Sequence, residues 1–138
     1  MNYKILAKYI KDLKFSIPNP EIFFLLTKDI SNYKINIDIK SIQFKEKIIE
    51  VETTLRLNPT KENFKKIDVM IAHSTIVELK DFSADKKKLE EIILVKVPTE
   101  IYSEIREAFV FLFEKSGFKN IKIDQSVDFN KLYNQKKN

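Results

Sequence analysis

"YKINIDIK", residues 33–40, places a tyrosine or an isoleucine at every second position, with charged or amide side chains between them. Successive side chains of a strand point to opposite faces of a sheet, so this alternation predicts a strand with one buried face. Residues 3–17, 49–57 and 67–79 alternate in a similar way. Four consecutive strands joined by short turns predict an antiparallel sheet with one face exposed to water.

The first of these strands is followed by a stretch rich in proline. The strand's alternation predicts that four side chains share one face: Tyr3, Ile5, Ala7 and Tyr9. The segment "IPNPEIF", residues 17–23, ends the strand, because each proline lacks a backbone donor and restricts the residue before it. We expect a long irregular connection to follow, with Phe23 and Phe24 exposed.

Helical spacing replaces the alternation after Asp81. Ser83 is the predicted cap of a first helix, which "VKVPTE", residues 95–100, is expected to break. Pro98 suits the first turn of a second, longer helix, and Gly117, the single glycine of the chain, suits a left-handed stop at its end. A short capped helix closes the chain. The predicted class is α+β: a four-stranded antiparallel sheet, two helices packed on one face, and a short C-terminal helix.

Composition excludes several function classes. The 138 residues fit one domain, and they contain no cysteine and one glycine, which excludes disulfides, thiolate metal sites and glycine-rich phosphate loops. His73 is the only histidine, and no nucleophile with a base and an orienting group can be assembled around it. We therefore expect a protein that is not an enzyme and that has no cofactor and no metal.

Charge and hydropathy bear on partners and location. The 25 basic and 20 acidic residues give a net charge of +5, but the two signs are interleaved rather than gathered in one basic stripe. Nucleic-acid binding is therefore disfavoured, although it stays open as a third hypothesis. Residues 1–15, "MNYKILAKYIKDLKF", scatter lysines among apolar residues, which suits neither a signal peptide nor a membrane span. We expect a soluble protein that is not exported and does not insert into membranes.

The second helix carries more apolar surface than one face can bury. In "REAFVFLF", residues 106–113, helical angles direct Phe109, Leu112 and Phe113 towards the sheet, whereas Val110 and Phe111 lie off that stripe. A valine and a phenylalanine exposed side by side favour burial against another subunit.

Three segments in order carry a family resemblance: "YIKDLKFSIPNP" at 9–20, "VPTEIYSEIREAFVFLFEKSGF" at 97–118 and "VDFNKLYNQ" at 127–135. With the strands between them, the chain resembles the SecB family of bacterial protein-export chaperones along nearly its whole length. The resemblance implies a single domain over residues 1–138 and a homotetramer, a dimer of dimers, without enzymatic activity or cofactor. It implies a cytoplasmic protein that holds preproteins unfolded and delivers them to SecA.

The resemblance also implies site residues. The client groove would be formed by Tyr33, Ile35, Ile37, Ile39, Phe129, Leu132 and Tyr133. The oligomer interface would lie on the long helix, at Ile105, Phe109, Val110, Phe111 and Leu112. The contact with SecA would use Asp12 and Asp68, whereas Ser16 stands where the family has a third acidic residue.

Three departures from the family pattern leave an alternative open. Besides Ser16, the chain stops at "NQKKN" instead of a SecA-binding tail, and its net charge is basic where the family is usually acidic. Client holding is therefore better supported than transfer to SecA. The alternative is a SecB-like chaperone dedicated to one antitoxin in a toxin-antitoxin-chaperone system.

Overall fold

Four long strands form one antiparallel sheet. The computed structural model describes residues 3–61, 67–80, 85–118, 121 and 123–137. The strands are β1 (Tyr3–Ser16), β2 (Tyr33–Lys45), β3 (Ile48–Pro59) and β4 (Asp68–Leu79). Their order in the sheet is β1-β4-β3-β2, so β1 and β2 are the two edge strands. The predicted antiparallel sheet is confirmed.

The helices cover one face of this sheet. They are α1 (Pro20–Asp29), α2 (Lys86–Glu91), α3 (Val97–Lys115) and α4 (Phe129–Lys137). Their apolar side chains share one core with the odd-numbered residues of β3 and β4, such as Leu55 and Ile71. We call this side of the sheet the helix face and the other side the open face. The predicted α+β class is confirmed, as is the short closing helix.

The predicted irregular connection after β1 is wrong, because residues 20–29 form α1. The Asn19 side chain caps this helix by accepting a hydrogen bond from the Ile22 N–H at 2.9 Å. Pro20 occupies the first turn, where its missing N–H costs nothing. Ile22 and Leu26, one turn apart, are buried in the core. The prolines that end β1 therefore also start a helix, and a single helical turn, Ile30–Asn32, leads into β2.

The predicted break between the two central helices is also wrong. A π-helical segment, Ile92–Lys96, joins α2 to α3 without a break. The Val97 N–H donates to the Ile92 carbonyl, so the helix widens at this point instead of ending. The hydroxyl of Thr99 donates to the Val95 carbonyl at 2.5 Å. At the start of α2, Asp85 accepts hydrogen bonds from two backbone N–H groups, whereas the predicted cap, Ser83, lies outside the described residues.

Gly117 ends α3 as predicted. Its φ is 95°, in the left-handed region that favours glycine. The Gly117 N–H donates to the Glu114 carbonyl at 3.2 Å, and the Phe118 N–H donates to the Phe113 carbonyl at 3.0 Å. The rings of Phe113 and Phe118 also pack 5.5 Å apart. This is the hydrogen-bond pattern of a Schellman motif, with its accompanying apolar contact.

Strand β1 contains two irregularities that the alternation did not predict. Its register against β4 shifts between Ile5 and Ala7 and again between Ile10 and Asp12. Each extra residue reverses the face of the side chains that follow it. Ala7 and Tyr9 therefore lie on the open face, whereas Tyr3 lies on the helix face. The prediction that these residues share one face is wrong.

His73 is buried on the helix face, between the sheet and α3. It is 6% exposed, and its Nδ1 atom has no hydrogen-bond partner among the described residues. Burial lowers the pKa of His73; the charge of Glu104 opposes this shift, and that of Lys8 adds to it. Lys8 of β1 and Glu104 of α3 form an ion pair at 2.8 Å.

We predict that His73 makes the fold less stable in mild acid. Its folded pKa lies below 6.5, so below pH 6.5 the unfolded chain binds more protons than the folded chain. The contribution of His73 to the free energy of unfolding should therefore be constant above that pH and decrease as the pH falls through the folded pKa. Urea unfolding across this range should show the loss, and His73→Leu, of similar volume, should remove most of it. An imidazole NMR titration with a midpoint at or above 6.5 would contradict the prediction.

Candidate functional site

Two cavities lie along the edge strand β2 on the helix face. The larger, of about 280 Å³, contains Tyr33, Ile35 and Ile37 in its lining. The smaller, of about 80 Å³, is lined by Ile37, Ile39, Leu94, Phe129, Leu132 and Tyr133. Ile37 belongs to both cavities, so they adjoin, and we call them together the β2 groove.

The floor of the β2 groove follows directly from the alternation in residues 33–40. Tyr33 is buried, and the three isoleucines after it are only partly buried. A strand rises about 3.3 Å per residue, so the floor from Tyr33 to Ile39 is about 20 Å long. Lys34 also lines the larger cavity, although it alternates with the isoleucines. The cavity therefore reaches the outer edge of β2 as well as its helix face.

The wall opposite β2 is held by α3. The Tyr102 hydroxyl donates to the Asp124 carbonyl at 2.8 Å, and Arg106 Nε donates to the Ile123 carbonyl at 3.1 Å. Burial raises the pKa of Tyr102, and the charge of Asp124 raises it further. Both bonds position the described part of residues 121–127, whose Ile121, Ile123 and Val127 line the groove.

Helix α4 closes the far end. The Asp128 side chain caps it by accepting a hydrogen bond from the Lys131 N–H at 3.0 Å. Phe129 and Tyr133, one turn apart, are buried, whereas Leu132 is 39% exposed. The Tyr133 hydroxyl donates to Glu90 of α2 at 2.8 Å, and this hydrogen bond raises the pKa of Tyr133. Helix α4 is thus tied to α2 while Leu132 stays accessible in the groove.

The groove is suited to apolar ligands. Lys34 and Asp124 are the charged side chains among its described lining residues, and both line the larger cavity. The smaller cavity is lined by apolar and aromatic residues. The described residues contain no group of three or more histidine, aspartate or glutamate side chains that could hold a metal ion.

The structure brings together all seven residues predicted for the client groove. Each of them lines one of the two adjoining cavities. The predictions missed the opposite wall, at Tyr102, Ile121, Ile123 and Val127, and they missed Leu94 on the π-helical segment. The available signal was the apolar alternation of Ile121 and Ile123, which resembles that of a strand.

The residues predicted for the oligomer interface divide into two groups. Ile105 and Phe109 are each 1% exposed and belong to the subunit's own core, so they have no surface left for another subunit. Val110 and Leu112 are partly buried, and Phe111 is 55% exposed. Only the second group can contact another molecule directly.

Asp12 and Asp68, predicted to contact SecA, both lie on the open face. Asp68 pairs directly with Ser16 across β1 and β4, and Asp12 pairs with Ala72, four residues further along β4. Basic and acidic residues are mixed around them. Lys11, next to Asp12 in the chain, forms an ion pair with Glu50, with 3.1 Å between Nζ and Oε2. Hydrogen bonds from Ser74 and Lys11 lower the pKa of Glu50.

Among the residues that the structure describes, none of the helices is both long and apolar enough to cross a membrane.

Comparison with known families decides the family. The model for preprotein translocase subunit SecB matches residues 1–138. The chain belongs to the SecB family. The resemblance seen in the three sequence segments is thus confirmed.

Similar proteins are named as SecB proteins. A putative protein-export protein SecB of Pelagibacter ubique is 39% identical over 137 residues, which cover 99% of this chain and 98% of that protein. Protein-export protein SecB of Orientia tsutsugamushi is 28% identical over 125 residues, covering 89% of this chain and 76% of that protein.

A solved structure shares the fold. It is a SecB-like chaperone of Mycobacterium tuberculosis in complex with a peptide from an antitoxin. The TM-score is 0.57 at 12% sequence identity, and the match covers 88% of this chain and 89% of that one. At this identity the likeness shows a SecB-like fold and nothing about what is bound.

Proposed function

We propose that this protein is a cytoplasmic chaperone that binds unfolded preproteins and keeps them competent for export. The observation that carries the proposal is the β2 groove, where one edge strand and one helix border adjoining cavities lined mainly by apolar and aromatic residues. Membership of the SecB family and the names of the relatives agree with it. Residues 1–138 would act as one domain.

The chemistry of the groove suits an unfolded client. An unfolded chain presents extended backbone with apolar side chains at irregular intervals, so its binder needs a long apolar surface without strict polar readout. The floor of the β2 groove from Tyr33 to Ile39 is about 20 Å long, and its three isoleucines are partly exposed. Binding the unfolded chain removes it from folding and aggregation by mass action. The proposed activity is therefore binding without a chemical reaction and without a cofactor.

We further propose that the protein assembles as a homotetramer, a dimer of dimers with α3 packed between the two pairs of sheets. Two separate apolar surfaces support two kinds of contact. Phe111 projects from α3, and the edge strand β1 exposes four large apolar side chains: Leu6, Tyr9, Ile10 and Leu13. Several grooves on one assembly would raise the affinity for a long client through effective concentration.

Delivery to SecA is the next part of the proposal. Asp12 and Asp68 share the open face, away from the β2 groove, so a client and SecA could bind at the same time. The serine at position 16 and the nearby lysines weaken the acidic character of this surface. We expect binding to SecA that depends on these two carboxylates and decreases with salt.

The antitoxin alternative has less support. The antitoxin-bound chaperone shares the fold at an identity too low to indicate a shared client, whereas the more similar relatives carry protein-export names. A general export client range is therefore the proposal.

The client groove is tested with Leu132→Asp. Leu132 is partly exposed, so the fold should tolerate the change, while a carboxylate in the groove should oppose apolar segments. We expect about tenfold weaker binding of an unfolded preprotein and a matching loss in its ability to delay refolding. The control is Asn130→Asp, which adds the same charge at an exposed position of α4. Equal binding by both variants would contradict the groove assignment.

The assembly is tested with Phe111→Asp. A carboxylate in an apolar contact between subunits should dissociate tetramers, which light scattering would detect as a smaller particle. Phe24→Asp is the matched control, because Phe24 is 67% exposed on α1 and far from the proposed α3 contact in sequence. A normal tetramer from Phe111→Asp would overturn the interface.

The SecA contact is tested by charge reversal. Asp12→Lys and Asp68→Lys should each weaken binding to purified SecA by roughly two- to fivefold, as expected for exposed ion pairs. Glu21→Lys, an exposed reversal on α1, should leave the affinity unchanged. Titration calorimetry would measure all four proteins, and unaltered affinity in both aspartate variants would exclude this surface.

A further inference from the structure

The hairpin between β2 and β3 ends in an exposed tip that is both apolar and basic. Glu46 and Lys47 are the two residues between the strands. Phe44 is 61% exposed and Ile42 is 43% exposed. Lys45 lies over the Phe44 ring, with 5.3 Å between its Nζ atom and the ring centroid. We call residues 42–47 the hairpin tip.

A bulge keeps Phe44 out of the regular pairing of the two strands. Gln43 pairs with Ile49 and Lys45 pairs with Ile48, so Phe44 is the extra residue. The Gln43 side chain donates to the Lys45 carbonyl at 2.6 Å. An extra residue bends its strand locally, and here the bend lies next to the turn. The phenylalanine therefore lies on the surface of the tip rather than over the core.

Lys47 has a backbone conformation that seldom suits a lysine. Its φ is 67°, in the left-handed region where glycine and asparagine are favoured. Its carbonyl accepts a hydrogen bond from the Leu79 N–H at 2.7 Å, which holds the turn against the end of β4. The turn would form more easily with glycine or asparagine. The fold therefore gives no reason for a lysine here, whereas a role for its charge does.

The charged residues of the tip and of the adjoining end of β4 are mainly basic. They are Lys45, Lys47 and Lys80 against Glu46 and Glu78. Lys80 directly follows the residue whose N–H binds the turn, so it lies beside the tip. Within the described parts of the chain, none of the three lysines forms an ion pair. Their charges are thus left for an anionic partner to neutralise.

We infer that the hairpin tip binds the surface of an anionic lipid membrane. The lysine ammonium groups meet lipid phosphates, while Phe44 and Ile42 enter the boundary between headgroups and acyl chains. The contact is made at the membrane surface and requires no segment that spans the bilayer.

The shape and chemistry of the tip favour a membrane over two other anionic partners. A projecting turn fits a broad surface, whereas an acidic peptide is usually bound in a groove or along a sheet edge. Single-stranded nucleic acid is bound by stacking bases on aromatic rings, and the aliphatic Ile42 provides no such ring. An acyl-chain boundary accepts an aromatic and an aliphatic side chain equally well.

The hairpin tip is separate from the surfaces proposed for the client and for SecA. Along β2 the lining of the β2 groove reaches Ile39, and the tip begins at Ile42. Asp68 lies at the opposite end of the sheet, where β4 begins. Membrane contact at the tip therefore goes beyond the proposed function and leaves both other surfaces uncovered.

The experiment measures co-sedimentation of the full-length protein with lipid vesicles. Vesicles that contain phosphatidylglycerol should bind the protein, and vesicles of phosphatidylcholine alone should not, because the lysines require lipid anions. Phe44→Ser should weaken the binding about tenfold through lost apolar burial. Phe24→Ser is the matched control and should bind as the wild type does, since Phe24 is similarly exposed, at 67%, but lies on α1.

A second pair of variants separates the tip from the net charge of the protein. Lys47→Asn removes one charge and suits the left-handed turn, so the fold should be preserved while binding weakens about fivefold. Lys14→Asn removes the same charge from an exposed position near the other end of the sheet and should bind as the wild type does. Equal losses in the two variants would show attraction by the net charge of +5 alone and would overturn the inference.

Three further outcomes would also overturn the inference. The first is no binding to either kind of vesicle, and the second is wild-type binding by Phe44→Ser. The third is a loss of client holding in Phe44→Ser and Lys47→Asn, which would assign the tip to the client. If the protein instead binds a single-stranded oligonucleotide and no vesicles, and Lys47→Asn weakens that binding, the tip is a nucleic-acid site. Failure of the membrane contact alone leaves the β2 groove intact.

A fluorescence reporter provides a second measurement. The chain contains no tryptophan, so Phe44→Trp places a single indole at the tip. Its emission should move to shorter wavelength when phosphatidylglycerol vesicles are added, because the indole leaves water. In Phe24→Trp the emission should stay unchanged. Vesicle binding without a shift in Phe44→Trp would show that another surface makes the contact.

Discussion

The packing of α3 against the sheet is the interaction on which the rest of the structure depends. Ile101, Ile105, Phe109 and Phe113, at helical spacing, are all buried on the helix face. The remaining sides of α3 make other contacts. Tyr102 and Arg106 reach the opposite wall of the β2 groove, and Phe111 remains exposed. Packing of the apolar stripe on the sheet fixes the rotation of α3 about its axis. This rotation also determines where the groove wall and the exposed Phe111 lie.

Much of this fold could be predicted because its signals are local. The strict alternation of β2 predicts its buried face, and Gly117 marks the end of α3 because only glycine adopts that conformation cheaply. Helix α1 was missed since proline ends a strand and also favours the first turn of a helix, and the Asn19 cap distinguishes the two. The bulges in β1 were missed for another reason. The bulges depend on the pairing of β1 with β4, and β4 lies far from β1 in the sequence.

The candidate site shows the same division between side-chain and backbone signals. The family resemblance indicated the β2 and α4 residues, and their side chains line the groove. The wall at residues 121–127 could not be predicted, because α3 holds it through the backbone carbonyls of Ile123 and Asp124. Every residue has a backbone carbonyl, so this kind of contact does not restrict which residue types occupy positions 123 and 124. The sequence shows that Tyr102 and Arg106 have side-chain donors, but it does not indicate which carbonyls accept their hydrogen bonds.

The phenylalanines explain how a rigid apolar surface can reach from the core to solvent. Successive rings contact one another from Phe109 through Phe113, Phe118 and Phe23 to Phe24, with centroids 5.0–5.5 Å apart. Aromatic side chains have few rotatable bonds, and each ring in this series is restrained by the one before it. An exposed ring held in this way would lose little conformational entropy on contact with another molecule. The flexibility needed to accommodate different sequences can then come from the unfolded client, while the chaperone provides a surface that is already ordered.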